Sequence, residues 1–336
     1  MINIAFDVMG SDNGLVPAIN AALEFLNKKK DLKILLVGYE DQISVQLKKY
    51  KKIPSDRIEI INASQVIEMN EGILEIRRKK DSSMVKALEL VKEKKADAMV
   101  TGGSTPAFIA GAHFIIGEIN GISRPAFMPT IPTIIDKKIV LLLDVGANAE
   151  NSPEDLQAFA IMANIYSQQI HGIEKPKIAL VNIGEEKSKG LTLQKDTYKL
   201  LTEDKNINFI GNVEPRYLTN GEADIFVTDG FSGNLVLKTA EGMARNLMVE
   251  IKNSVTKNFF RKLAALSLKK AFKEVANKFD YKNHAGAILL GIDGIVFKSH
   301  GSSDIQSFEA TLRMTYDAVK NDVVSKLKQQ FNKIEQ

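Results

Sequence analysis

The chain has 336 residues, 44% of them hydrophobic and 26% charged, with a formal net charge of +4. These values are ordinary for a soluble globular protein, and the length allows a large core in one α/β domain spanning 1–336. With no cysteine, disulfides, thiolate-held metals and a thiol nucleophile are excluded, and no apolar run reaches the roughly 20 residues of a membrane span.

From the N-terminus, short apolar runs rich in β-branched residues alternate with longer helical patterns. Strands are expected at "INIAF" from residue 2, "KILLVG" from 33, "IEIIN" from 58 and "DAMVTGG" from 97. They continue at "KIVLLLDVG" from 138, "KIALVNIG" from 177, "DIFVTDG" from 224 and "GIVFKSHG" from 294. Helical periodicity marks 82–95, 105–117, 153–169 and 233–250 between them. Continuous apolar strands separated by helices predict a mostly parallel sheet covered on both faces. His113, His171, His284 and His300 have no metal-ligand spacing, so no metal is expected, and the expected location is cytoplasmic.

Polar, glycine-bearing loops follow the strands: "DVMGSDNG", "VTGGSTPA", "LDVGANAENSP", "NIGEEKSKG", "TDGFSGN" and "SHGSSD". If the strands all point one way, these six loops gather along one edge of the sheet, where ligands bind in open α/β folds. Glycines let backbone approach a ligand, and free N–H groups at helix starts favour an anion. Neither G-x-G-x-x-G nor the Walker pattern stands at these junctions, which argues against a dinucleotide or nucleoside triphosphate. A loop such as "GGSTPA" suits a small oxyanion such as phosphate.

In this order, the segments resemble the bacterial phosphate acyltransferases of phospholipid synthesis (the PlsX family). The resemblance runs through "DVMGSDNG", "RRKKDSSM" at 77–84, "VTGGSTPAFIAGAHF" at 100–114, "LLDVGANAENSPEDLQAFA" at 142–160 and "VNIGEEKSKG" at 181–190. It is completed by "GNVEPRYLTNGEADIFVTDGFSGNLVLKTAEG" at 211–242 and "KSHGSSD" at 298–304. It implies transfer of a long fatty acyl group from acyl carrier protein to inorganic phosphate, giving an acyl phosphate. It further implies a Rossmann-like, three-layer αβα, isopropylmalate-dehydrogenase-like fold, a homodimer, and no metal or organic cofactor; no nucleic-acid partner is expected. Phosphate can itself be the nucleophile, so the missing cysteine is no obstacle. The chain departs from the family at Asn13 (usually histidine), Ser11 (glycine), Ser104-Thr105-Pro106 (Asn-Thr-Gly), Leu191 (asparagine) and the altered 283–291 segment. Asn13 can form hydrogen bonds but carries no proton at neutral pH.

The expected catalytic residues are Lys189, His300, Asp12 and Asn13. The expected phosphate and substrate contacts are Asp7, Gly10, Ser11, Gly102, Gly103, Ser104, Thr105, Asp144, Asn148, Asn182, Glu185 and Glu186. From "TDGFSGN" onward they are Asp229, Gly230, Phe231, Gly233, Asn234 and Lys238. Each has a plainer reading: Asp7 and Asp12 as helix caps, Lys189 as a solvated lysine, Asn234 as a polar residue at a helix start. Two other functions stay open, a phosphotransacetylase-like enzyme using acyl-coenzyme A and a non-catalytic docking module. A decarboxylating dehydrogenase would need a nicotinamide site and a metal-binding aspartate cluster, neither of which the sequence offers.

Residues 251–282 hold nine lysines and arginines against two carboxylates, more positive charge than the whole chain carries. Phe260, Leu263 and Ala264, then Leu268, Phe272, Val275 and Phe279, recur at helical spacing. A helical hairpin projecting over 240–282 is expected. Lys257, Phe260, Arg261, Lys262, Leu263 and Leu266 would touch the acidic carrier protein or an anionic membrane surface. The plainer reading is a core-facing helix with a solvated side.

Overall fold

The computed structural model describes residues 1–278 and 285–334. Phe279, His284, the last residues of the basic 251–282 stretch and the start of the 283–291 segment lie outside them.

Among the described residues, eleven strands form one sheet. In chain order they are β1 (Ile2–Asp7), β2 (Leu32–Gly38), β3 (Ile58–Asn62), β4 (Ala98–Thr101), β5 (Ala126–Pro132) and β6 (Ile139–Leu143). The rest are β7 (Lys177–Val181), β8 (Asn208–Val213), β9 (Ile225–Val227), β10 (Ala287–Leu290) and β11 (Ile295–Lys298). The spatial order is β3-β2-β1-β4-β11-β10-β5-β6-β9-β7-β8. The eight expected strands are present, and β5, β8 and β10 are additional.

Alternate side chains enter different cores, as a period of two requires. Ile4, Phe6, Leu141, Leu180, Ile225 and Phe297 belong to one cluster that runs under the whole sheet. On the other face the core divides. Ala5, Val37, Met99 and Val296 lie in one part, and Val140, Ala179 and Phe226 in the other, with Phe127 at the margin of both. Helices cover each face. Among them, Pro153–Tyr166 starts from a capping box between Ser152 and Asp155 with proline at its first position.

The sheet is mostly parallel, but β10 pairs antiparallel with β11 and β5, and β5 antiparallel with β6. Three reversals in succession leave β6, β9, β7 and β8 pointing opposite to β1, β2, β3, β4 and β11. The loops after β1, β4 and β11 therefore leave one edge of the sheet, and those after β6, β7 and β9 leave the other. This corrects the expectation that all six share one edge.

The two edges are linked by the helix Gly230–Val255, which starts after β9 and packs Val236 and Leu237 against the second half of the divided core. Beyond it stand two short helices, Phe259–Ser267 and Lys269–Lys278, in which no residue is buried. Asn258 caps the first, its Oδ1 accepting from Arg261 N at 2.9 Å. Phe260 is 81% exposed, and Lys257, Arg261, Lys262, Leu263 and Leu266 are exposed too. The core-facing reading of this segment does not hold within a single chain.

Candidate active site

The loops after β1, β4 and β11 interlock. Asp7 ends β1 buried, its Oδ2 accepting from Thr101 Oγ1 at 2.7 Å and its Oδ1 from Met9 N at 3.2 Å. Burial raises its pKa against these hydrogen bonds. Thr101 Oγ1 in turn accepts from Gly103 N at 2.9 Å. A Cβ on Gly10 would stand 2.8 Å from Gly103 Cα, so glycine is what allows the two loops to touch. Ser104 is buried and donates from Oγ to Glu71 O at 2.9 Å, and Thr105 begins the following helix. Ser11 Oγ donates to Gly14 O at 3.0 Å.

Asp12 N donates to Gly301 O at 2.9 Å, and Asn13 Nδ2 donates to Ser302 O at 2.9 Å and Ser303 O at 3.1 Å. Asn13 thus clamps the loop after β11 to the loop after β1. The helix Leu15–Lys28 has Gly14 as its N-cap and no side-chain cap, so the capping reading fails for both Asp7 and Asp12. His300 Nδ1 accepts from Ser302 N at 3.1 Å, which places the neutral ring's proton on Nε2. Desolvation, then the charges of Lys238 and Lys298, lower the His300 pKa.

The sequence does not set Lys298 apart, since a lysine closing a strand reads as solvated. Its residue is only 6% exposed, and its Nζ donates to Ser299 O at 2.9 Å. Burial first, then the charge of Lys238, lowers its pKa to about 8, with Asp12 opposing. Lys238 is largely exposed and pairs with Glu241 at 2.8 Å.

The loops after β6 and β9 form a second knot. Asp144 is fully buried, and Phe127 N, Gly146 N, Ala147 N, Asn148 N and Asn148 Nδ2 donate to its carboxylate at 2.9 to 3.2 Å. Asn148 Nδ2 also donates to Pro125 O at 2.7 Å. A Cβ on Gly230 would stand 2.1 Å from Asn148 O, and one on Gly233 1.9 Å from Asp144 O. These two glycines therefore seat the long helix against the loop after β6. Asp229 caps that helix, accepting from Ser232 N at 2.8 Å. Asp144, Asn148, Asp229, Gly230 and Gly233, expected as substrate contacts, each also hold the protein's own loops together, and only Asp144 has its carboxylate filled by them.

Phe231 is exposed, and Asn234 faces Gly146. The loop after β7 is organised by Asn182, whose Oδ1 accepts from Ile183 N at 2.8 Å and whose Nδ2 donates to Lys189 O at 3.2 Å. Glu185, Glu186 and Lys189 are exposed there. Strand direction puts this loop with Asp144, away from Asp7, Asp12 and His300. Asn234 and Lys238 join the two groups: side chains four apart on a helix share a face, about 5–6 Å between Cβ atoms. One meets the loop after β6, and the other puts its charge on Lys298 and His300. Along that face Lys238, Lys298 and His300 stand together, an arrangement able to hold an anion. Among the described residues no cluster of histidine and carboxylates could hold a metal ion.

A separate groove of about 530 Å³ lies between the end of the long helix and the two short ones. It is lined by Met248, Ile251, Val255, Phe259, Leu263 and Phe272 together with Lys252, Lys262 and Lys269.

A family profile described as "Fatty acid synthesis protein" matches residues 2–326. The chain belongs to this family. It is 59% identical over 332 residues to a protein named Phosphate acyltransferase from Mesoplasma florum, covering 99% of this chain and all of that one. A Phosphate acyltransferase from Clostridium botulinum is 42% identical over 334 residues, covering 99% of each chain. Among solved structures, a phosphotransacetylase from Streptococcus pyogenes superposes with a TM-score of 0.59 at 19% identity, covering all of this chain and 94% of that one. A 4-hydroxythreonine-4-phosphate dehydrogenase from Klebsiella pneumoniae does so with a TM-score of 0.53 at 11% identity, covering 95% and 98%. The structural likenesses establish the α/β fold that this family member shares with dehydrogenase-like proteins.

Proposed function

We propose that this protein is an enzyme that transfers a long fatty acyl group from acyl carrier protein to inorganic phosphate, yielding acyl phosphate for phospholipid synthesis. The observation that carries the reading is the 59% identity to a phosphate acyltransferase along essentially the whole chain. In the reaction a phosphate oxygen attacks the thioester carbon, the new C–O bond replaces the C–S bond, and the carrier leaves as thiolate. A thiol of ordinary pKa near 8.5 leaves without a dedicated acid near neutrality. Catalysis then consists of orienting phosphate and stabilising charge on the carbonyl oxygen, about 3–4 kcal/mol for each well-placed donor. His300 through Nε2, Asn234 and Lys238 are assigned to these tasks, with Lys189 supplied from the far side by the loop after β7; Asp12, through its backbone N–H, and Asn13 hold the loop that carries His300.

The exposed apolar row Phe231, Leu235, Met243 and Leu247 on the long helix supports a homodimer. The exposed Phe260, Leu263 and Leu266 among lysines support contact with the acidic carrier or with an anionic membrane surface. Among the described residues no helix is long and apolar enough to cross a membrane. The test is to supply palmitoyl carrier protein, palmitoyl-coenzyme A or acetyl-coenzyme A, each with phosphate, and to detect acyl phosphate by mass spectrometry. Turnover with the carrier thioester supports the reading. Turnover with acetyl-coenzyme A alone would replace it by a phosphotransacetylase.

A further inference from the structure

Lys298 carries more hydrogen-bonding capacity than its surroundings use. An ammonium has three N–H donors. One is spent on Ser299 O at 2.9 Å, and Lys298 makes no other hydrogen bond or ion pair among the described residues. Its residue is 6% exposed, so water offers little compensation. Unspent donors on a buried cation are costly unless an anion meets them. The nearby charges do not supply that partner: Asp12 acts on Lys298 without a hydrogen bond, and Lys238 adds a second positive charge. His300, whose own neighbours include Lys238, Lys298, Glu241 and Asp12, is held in its neutral form. At the end of β11, Glu241 is paired with Lys238, and Asp12 acts on Lys298 and His300 without a hydrogen bond to either, so neither carboxylate meets the Lys298 donors.

We propose that Lys298 is a direct ligand of the phosphate nucleophile, giving it the two remaining N–H donors while Lys238 faces the same anion. This rests on the phosphate acyltransferase reading and adds a residue to it. Phosphate then binds the protonated lysine, and affinity falls as pH rises through the value near 8 at which the unliganded ammonium loses its proton.

The experiment is calorimetric titration of the full chain with inorganic phosphate, and with sulfate, whose charge is constant over the range, at pH 7 and pH 9. For the wild type, sulfate affinity should fall about tenfold between the two pH values, as expected for one group titrating near 8. Lys298→Met should weaken both anions at least about tenfold at pH 7 and abolish the pH dependence for sulfate. Lys298→Arg, which stays charged, should retain binding at pH 9. A folded Lys298→Met protein, judged by an unchanged unfolding transition, that binds both anions like wild type would overturn the proposal. These measurements need no turnover. A protein that binds phosphate through Lys298 yet makes no acyl phosphate from any thioester would sink the activity and leave this site standing.

Discussion

Asn13 offers the sharpest perturbation, because the structure gives it a role that depends only on donors. Its amide nitrogen donates to both Ser302 O and Ser303 O, tying two loops that are 289 residues apart in sequence. Asn13→Asp keeps the shape, removes both donors, and turns a carboxylate toward two carbonyl oxygens. Each lost hydrogen bond at this solvent-accessible position is worth about 0.5–1 kcal/mol. The two therefore amount to roughly 1–2 kcal/mol, which Asn13→Ala alone should lose. The aspartate adds repulsion and should cost about 1 kcal/mol more. Urea unfolding of the three proteins, with a common m-value, measures the difference. The added charge beside Asp12 should also raise the KM for phosphate more in Asn13→Asp than in Asn13→Ala. If Asn13→Ala unfolds like the wild type, Asn13 is not a donor clamp; if the aspartate and alanine variants unfold together and share one phosphate KM, the added carboxylate meets no repulsion there.

Other predictions are more local. Gly233→Ala puts a methyl group 1.9 Å from Asp144 O, against backbone that cannot yield, and should destabilise by about 3 kcal/mol or more, read as a lower thermal midpoint and less soluble protein. Because burial raises the Asp7 pKa, the wild type should gain stability relative to Asp7→Asn as pH falls towards 4, and lose it as pH rises through the raised value. Urea midpoints of both proteins from pH 4 to 8 check the sign, and a difference that grows with pH would contradict it. Lys189→Ala should cut the acyl phosphate rate by about a hundredfold while stability stays within about 0.5 kcal/mol, since the side chain is exposed. Full activity would remove that lysine from the chemistry.

Eight strands were legible because each is a short apolar run rich in β-branched residues; even β3 at the sheet's edge, interrupted by exposed Glu59, keeps Ile58, Ile60 and Ile61. The three that escaped carry weaker patterns. β5 contains Pro129 and Pro132, β8 is an edge strand with polar Asn208 and Asn212, and β10 is a four-residue run inside the altered 283–291 segment. Two of these, β5 and β10, are the strands that reverse the sheet, and apolar periodicity does not encode strand direction. That is why the loops were expected on one edge. The interlocked loops of Asp7, Gly10, Gly103 and Gly301 were legible from glycines at strand ends. Asp144 reads as a ligand because a carboxylate filled by backbone N–H groups looks, in sequence, like a free one, and Asp229 because a helix cap and a ligand carry the same side chain. Lys298 escaped for the opposite reason: burial, which makes it chemically distinctive, comes from the packing of several loops.

Phosphate itself must strike the acyl carbon, and isotope labelling tests this most directly. The protein is given palmitoyl carrier protein with phosphate labelled at every oxygen with oxygen-18, and the acyl phosphate is weighed by mass spectrometry. The predicted product retains all the phosphate label, with an unlabelled carbonyl oxygen from the thioester. Fatty acid released with oxygen from water, and no labelled acyl phosphate, would contradict it.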